Sequence, residues 1–207
     1  EEEMKGIVRI AAKYNCWIFA DEIYRGADLD GIEKPSFIGM YDKVMANGGL
    51  SKAYALPGLR LGWLVGPKDV IADTWAYHDY LSICAGIISD RVGEMALKPD
   101  MRHRILSRNR AMLNENLKAT QDWVRDHRNM IEFVPPKAGG MVFMKYKFPI
   151  NSTELSDWLR LKKGVFILAG DVYGMDHHFR LGIGAEKHTL LKGYDILTAA
   201  LRERFGG

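Results

Sequence analysis

The chain has 207 residues, 47% of them hydrophobic and 27% charged, and a net charge of +3 at pH 7. These values are typical of a globular protein with one large or two small domains, and they argue against a disordered chain. The basic residues are dispersed, and the Arg102–Arg110 cluster indicates a solvated helix face, so we expect no nucleic-acid partner. No apolar run approaches the roughly 20 residues of a membrane span, and we predict a cytoplasmic protein with no membrane partner.

The chain opens on a predicted helix over residues 2–12, with Met4, Val8 and Ala11 on one face. Because Glu1 leads directly into this helix, we expect the sequence to be truncated. Two cysteines, Cys16 and Cys84, lie in apolar and small-residue segments, and we expect both to be buried free thiols.

Three short strands are predicted next, at residues 16–20, 43–50 and 61–65. The first is a continuous apolar run, which is typical of a strand buried on both faces. It ends at Asp21, and Tyr24 follows three residues later. Open α/β sheets bind ligands at the carboxyl ends of their strands, so both side chains are candidates for a site.

The second and third strands bring further polar side chains to the same region. Ser51 and Lys52 follow the second strand directly, and Arg60 precedes the third after a Pro-Gly turn. The elements predicted beyond them are a helix over 69–81, a helical stretch over 90–127 broken at 98–100, strands at 131–134, 141–146, 165–168 and 179–183, a helix capped by Ser152 or Thr153 and running to 161, and a helix over 187–205.

Lys52 and Arg60 together indicate pyridoxal phosphate, which carries both an aldehyde and a phosphate. A lysine amine forms an imine with a carbonyl cofactor, and an arginine fork holds a phosphate in two hydrogen bonds. The Ser51 hydroxyl would assist Arg60 at the phosphate. Taken singly, Lys52 could be a surface lysine and Arg60 could form a salt bridge at a strand edge.

Three further side chains would complete such a site. Asp21 would keep the pyridine nitrogen protonated, and Tyr24 would hydrogen-bond the phenolic oxygen of the cofactor. Arg180, among apolar residues of a predicted strand, would bind a substrate carboxylate. The structural alternatives are a helix cap for Asp21, a packing tyrosine for Tyr24 and an internal ion pair for Arg180. Met141 and Tyr173 could line a substrate pocket or belong to the core. The six histidines form no metal-binding pattern, and we predict no metal site.

The sequence resembles the class I and II aminotransferases, which are fold-type I pyridoxal-phosphate enzymes. The matching text lies at residues 20–24, 51–63, 136–141 and 179–181, in the order and spacing of that family. The resemblance implies an α/β fold of the aspartate aminotransferase type. Residues 1–95 would form the C-terminal part of a large domain with a mostly parallel sheet, and residues 96–207 a smaller α+β domain.

The resemblance also implies the function and the role of each residue. Lys52 would be the imine lysine, Asp21 the pyridinium partner and Tyr24 the ligand of the phenolic oxygen. Ser51 and Arg60 would bind the phosphate of pyridoxal 5'-phosphate. The substrates would be an amino acid and a 2-oxo acid, and the protein would be a homodimer.

The α-carboxylate of the substrate would bind Arg180. Many members of the family have a serine three residues before the lysine, where this chain has Gly49. Members run to about twice this length, and their first half supplies a glycine-rich phosphate loop, a stacked aromatic ring and an asparagine. We therefore expect the isolated chain to bind cofactor weakly and to turn over little.

Two alternatives to amino transfer remain open at this stage. A lyase, cyclase or decarboxylase on the same fold would use the same lysine and the same electron sink. A non-catalytic sensor, as in regulators that carry an aminotransferase-like domain, would retain the fold without turnover.

Overall fold

A computed structural model describes residues 1–206 of the chain, which divides into two compact units. The first unit is Glu1–Arg110, and the second begins at Ala111, within a long helix. The domain boundary expected after residue 95 stays a prediction.

The first unit is built around a three-stranded sheet. Its central strand pairs in parallel with the strand before it and antiparallel with the strand after it, in the order β1-β2-β3. The elements in chain order are α1 (Glu2–Lys13), β1 (Ile18–Asp21), β2 (Val44–Gly49), β3 (Gly62–Val65), α2 (Lys68–His78), α3 (Ile87–Leu97) and α4 (Pro99–Asp126), the last of which continues into the second unit.

The helical break expected at residues 98–100 is confirmed. Lys98 follows α3 with an extended ψ of 137°, and Pro99 begins α4. Proline disfavours a helical conformation in the residue before it, yet its own fixed φ suits the first turn of a helix. One dipeptide therefore ends one helix and starts the next.

The expectation of a first strand buried on both faces is wrong. Trp17, just before β1, is 49% exposed and Phe19 is 62% exposed, because no element among residues 1–206 covers these side chains. Cys16 and Cys84 are also exposed, contrary to the prediction of buried thiols. Local apolar character indicated a strand correctly, but burial depends on which neighbours cover it.

The second unit is an α+β arrangement on a four-stranded antiparallel sheet. The strand order is β4-β5-β7-β6. Its elements after α4 are β4 (Ile131–Phe133), β5 (Met141–Tyr146), α5 (Ser152–Trp158), β6 (Leu168–Ala169), β7 (His178–Gly182) and α6 (Lys187–Phe205). No helix within residues 1–206 combines the length and apolar character that crossing a bilayer requires.

The cap of α5 lies one residue before the first of the two expected caps and two residues before the second. Asn151, rather than Ser152 or Thr153, is the N-cap, and its side chain accepts hydrogen bonds from the backbone N–H groups of Thr153 and Glu154. Asparagine is among the best N-cap residues for this reason. The α-helix ends at Trp158, before the expected end at residue 161. The chain continues as a π-helical turn, Leu159–Lys163, so the residues between 158 and 161 are still helical.

Asp176 fastens the loop before β7 to the start of α5. Its Oδ1 accepts hydrogen bonds of 2.7 Å from the backbone N–H of Ser152 and from that of His177. These bonds lower the pKa of Asp176 from 3.8 to about 2, and the bond from the Ser152 N–H makes the largest contribution. A carboxylate whose pKa is lower in the folded state stabilises the fold above its unfolded pKa and loses that effect as pH falls through the folded value.

We therefore expect Asp176→Asn to lower the thermal midpoint at neutral pH and to flatten its decline between about pH 4 and about pH 2. Thermal unfolding followed by circular dichroism across that range measures both effects. Asp195→Asn is the control, since Asp195 is exposed on α6 and its carboxylate forms no hydrogen bond or ion pair within residues 1–206. Equal acid slopes for wild type and Asp176→Asn would contradict the assignment.

Candidate active site

Strand pairing brings Asp21, Ser51, Lys52 and Arg60 to one edge of the first sheet. Asp21 is the last residue of β1 and pairs with Asn47 of β2. β2 ends two residues later at Gly49, which pairs with Gly62 at the start of β3. Because β3 is antiparallel, the residues that precede it lie at the same edge as those that follow β2.

The Lys52 segment is a short loop closed at its base by Leu50. The Leu50 N–H donates to the Leu61 carbonyl at 3.1 Å, and the Leu56 N–H donates back to the Leu50 carbonyl at 2.9 Å. Within the loop, the Ala55 N–H donates to the Lys52 carbonyl at 3.0 Å, and Ala55 has a φ of +55°. Left-handed backbone at a residue other than glycine is costly, so the surrounding contacts determine this loop conformation.

The predicted site side chains present free polar groups. Within residues 1–206, neither the Lys52 amine, the Ser51 hydroxyl nor the Tyr24 hydroxyl has a hydrogen-bond or ionic partner. Asp21 uses only Oδ1, which accepts from the Ile23 N–H at 3.2 Å. Arg60, with a φ of +51°, donates from Nη1 to the Pro57 carbonyl at 2.9 Å and keeps its other donors free.

Asn47 is a residue that the sequence reasoning missed. Its Oδ1 is buried and lacks a hydrogen-bond partner among the described residues. Buried polar atoms nearly always form a hydrogen bond. Because Asn47 pairs with Asp21 in the strand ladder, its unpaired Oδ1 indicates that a hydrogen-bond donor from outside the chain belongs beside Asp21. An asparagine in an apolar strand was the only sequence signal for it.

Arg180 lies on β7 of the second unit. Its guanidinium stacks on the ring of Tyr173 at 5.4 Å from the centroid. Among residues 1–206 it has no carboxylate partner, so the internal ion pair considered as an alternative is not formed. A stacked, unpaired guanidinium on a strand is suited to binding a carboxylate in two hydrogen bonds.

The donor set at the sheet edge fits pyridoxal phosphate. The amine, guanidinium and hydroxyl match the aldehyde and the phosphate, while the carboxylate and phenol match the two polar positions of the ring. Each of these groups has unused hydrogen-bonding capacity, as the Asn47 oxygen does. The fold and this donor set together are typical of pyridoxal-phosphate-dependent enzymes.

The comparisons with known proteins lead to the same class. The model of the family described as aminotransferase class I and II matches residues 1–193. The chain therefore belongs to the class I and II aminotransferase family. Structural neighbours have the aspartate aminotransferase fold. The family and its PLP-dependent members imply pyridoxal 5'-phosphate as the cofactor.

Individual relatives are similar at moderate identity. A PLP-dependent aminotransferase from Streptococcus suis 89-1591 superposes with a TM-score of 0.89 at 33% identity, over 97% of this chain and 52% of that one. Capreomycidine synthase of Streptomyces vinaceus is 28% identical over 80% of this chain and 41% of its own length. A probable N-acetyl-LL-diaminopimelate aminotransferase of Bacillus subtilis (strain 168) is 28% identical over 95% and 50%. The chain thus spans about half the length of the relatives it matches.

Proposed function

We propose that this chain is part of an aminotransferase that moves an amino group between an amino acid and a 2-oxo acid. The observation that carries the proposal is the partnerless Lys52 amine in a tightly closed loop at the end of β2, at the sheet edge that also carries Arg60. Family membership adds the expectation of pyridoxal phosphate. When bound, the cofactor supplies an electron sink for negative charge that develops at the substrate's α carbon.

In this proposal each side chain acts through a polar group that is not used in hydrogen bonds within residues 1–206. Lys52 would hold the cofactor at its aldehyde, and its amine would carry the proton at the substrate's α carbon. Asp21 would face the ring nitrogen and favour its protonated form, and the Tyr24 hydroxyl would donate to the phenolic oxygen. Ser51 and Arg60 anchor the phosphate.

The substrate carboxylate is assigned to Arg180, whose guanidinium lacks a carboxylate partner in residues 1–206. We assign residues 1–95 to the large cofactor-binding domain and residues 96–207 to the small domain, as the family resemblance implies. We further propose a cytoplasmic location, which fractionation of the source cells would test.

Amino transfer is tested by following nitrogen from one substrate to the other. The chain is incubated with pyridoxal phosphate, amino acids labelled with ¹⁵N and a 2-oxo acid, and mass spectrometry then detects labelled product. Turnover that requires the oxo acid and aminates it supports transfer. Turnover that proceeds without the oxo acid supports a lyase, cyclase or decarboxylase instead.

A reaction other than amino transfer on the same fold, such as that of a lyase, cyclase or decarboxylase, has one specific observation in its favour. The matched relatives include capreomycidine synthase, at 28% identity over 165 residues. The lysine and the electron sink are common to both reaction types, so the side chains at the sheet edge do not separate them. A non-catalytic sensor would give neither product in the nitrogen-transfer experiment while still binding the cofactor.

A homodimer is part of the proposal, and it accounts for an exposed apolar surface in the first unit. Between residues 75 and 95, Tyr80 is 89% exposed, Leu81 is 84% exposed and Ile88 is 78% exposed. Apolar patches of this kind on a soluble protein commonly mark interaction surfaces. The surface is carried by α2, α3 and the connection between them.

We expect Leu81→Glu to weaken self-association at least about tenfold, since a buried interface leucine becomes a desolvated charge. Sedimentation velocity over a concentration series measures the change. Lys68→Glu is the control, because Lys68 is an exposed residue at the start of α2 that is already charged. A monomeric wild-type chain, or an unchanged dimer in Leu81→Glu, would contradict this interface.

A further inference from the structure

Helix α4 holds the Lys52 loop through a buried asparagine. Asn109 is only 8% exposed, and its Nδ2 donates to the Ala53 carbonyl at 2.9 Å. Ala53 directly follows Lys52 in the chain. A single buried hydrogen bond therefore fixes the Ala53–Tyr54 peptide, which begins one residue after the lysine, to a residue of α4 that lies 56 positions from Ala53 in sequence.

A second contact orients the Asn109 amide. Arg108 donates from Nε and Nη2 to Asn109 Oδ1, at 3.2 Å and 3.0 Å. Since a guanidinium has only donors, the amide oxygen must face Arg108 and the amide nitrogen must face Ala53. The contact to the loop is thus specified by hydrogen-bonding chemistry.

The next residue of the loop is held from the same helix. Arg102 donates from Nε to the Tyr54 hydroxyl at 3.0 Å and pairs with Glu33, which also pairs with Arg25. Burial alone would lower the pKa of Arg102, but the bonds to Glu33 and Tyr54 outweigh it and the pKa is raised. The guanidinium therefore stays charged, and the Tyr54 ring remains in place among Leu50, Ala53 and Leu106.

We propose that Asn109 is a positioning residue for Lys52, a role that rests on the proposed function. A lysine side chain is long and flexible, so its approach to a cofactor aldehyde depends on how firmly its backbone is held. Two neighbours of Lys52 in the loop, Ala53 and Tyr54, are anchored to α4, while the lysine amine itself is free. Asn109 sets the direction from which the amine approaches.

The test compares the same substitution at two buried asparagines of α4. Asn109→Asp removes the donor to Ala53 but leaves an oxygen for Arg108. Asn116→Asp is the matched control, since Asn116 is fully buried and its Nδ2 donates to the carbonyls of Ile183 and Ala185 in the second unit. Both variants lose buried donors, but only the first loses a contact to the Lys52 loop.

Two readouts are taken on the full 207-residue chain with pyridoxal phosphate as the probe. The first is the rate and absorbance band of attachment at Lys52, with borohydride trapping and peptide mapping to confirm the position. The second is hydrogen exchange of the Ala55 and Leu56 amides without cofactor, since both amides donate inside the loop. The absorbance band is a spectroscopic signature that a general loss of stability does not alter.

Asn109→Asp is expected to slow attachment at Lys52 about tenfold, change its absorbance band and speed exchange at both amides. Asn116→Asp is expected to change none of these. Should either aspartate variant fail to fold, Asn109→Ala and Asn116→Ala are measured in place of the pair, with the same expectations. Arg108→Met, which frees the amide to flip, is expected to give a smaller effect in the same direction.

The outcomes separate this proposal from the function on which it rests. Normal attachment in Asn109→Asp and Asn109→Ala would overturn the positioning role while leaving the aminotransferase proposal intact. An equal effect in Asn116→Asp would also overturn it, because the effect would then follow from lost stability. A folded wild-type chain that binds no cofactor at Lys52 would overturn the positioning role in this chain, and it would show that these 207 residues are insufficient for the proposed function.

Discussion

The chain in which Lys52 is replaced by alanine will show no cofactor absorbance band when it is titrated with pyridoxal phosphate. Lys52 is exposed, and its amine has no partner within residues 1–206, so its removal deletes a nucleophile and no internal contact. The free energy of unfolding should change by no more than about 0.5 kcal/mol, as for other surface substitutions. The wild-type chain will give a saturable band under the same conditions.

Lys68→Ala is the control for this titration. Lys68 is another exposed lysine of the first unit without a partner among the described residues, so nonspecific attachment to surface amines would affect both variants equally. A band that persists in Lys52→Ala but weakens in Lys68→Ala would show that the cofactor attaches at Lys68, and it would contradict the role predicted for Lys52. The absence of a band in the folded wild-type chain would mean that these 207 residues are insufficient to bind the cofactor.

The sequence predicted the strands and helices of the first unit well, because the signals for these elements are local. Short apolar runs that end in polar residues located β1 and β2 to within two residues, and the Lys98-Pro99 pair located the break between α3 and α4. The identities of Ser51, Lys52 and Arg60 indicated the chemistry before any geometry was known. Their roles remain predictions, although the structure leaves Lys52 and Ser51 without partners and most donors of Arg60 free.

The parts that could not be predicted depend on contacts between distant residues. Asn109 lies three residues after Leu106 and four before Leu113, a spacing that puts it on the apolar face of α4. Nothing in that spacing indicates that its partner is Ala53. The predicted burial of Cys16 and Phe19 was wrong for the same reason, since burial depends on the elements that cover a strand and not on the strand's own composition.

Gly170 gives the largest expected effect on the stability of the second unit. This buried glycine directly follows β6, and its carbonyl accepts a 3.0 Å hydrogen bond from the Met175 N–H. A Cβ built at this position would collide with the Met175 carbonyl oxygen and lie 2.7 Å from the His178 carbonyl oxygen. Both atoms belong to the backbone and cannot rotate away, so the loop and the start of β7 would have to move.

We expect Gly170→Ala to lower the free energy of unfolding of the second unit by about 3 kcal/mol, at the upper end of typical overpacking effects. Hydrogen exchange of peptides from β5 and β7 measures this loss in the second unit alone. Gly193→Ala is the control, since its Cβ would meet no atom within 4 Å and helix α6 should gain about 0.5–1 kcal/mol from alanine. If Gly170→Ala were as stable as wild type, the loop would have to yield freely, which would also loosen the Asp176 hydrogen bonds to Ser152 and His177. The acid dependence assigned to Asp176 would then weaken in the same variant, so the two measurements check each other.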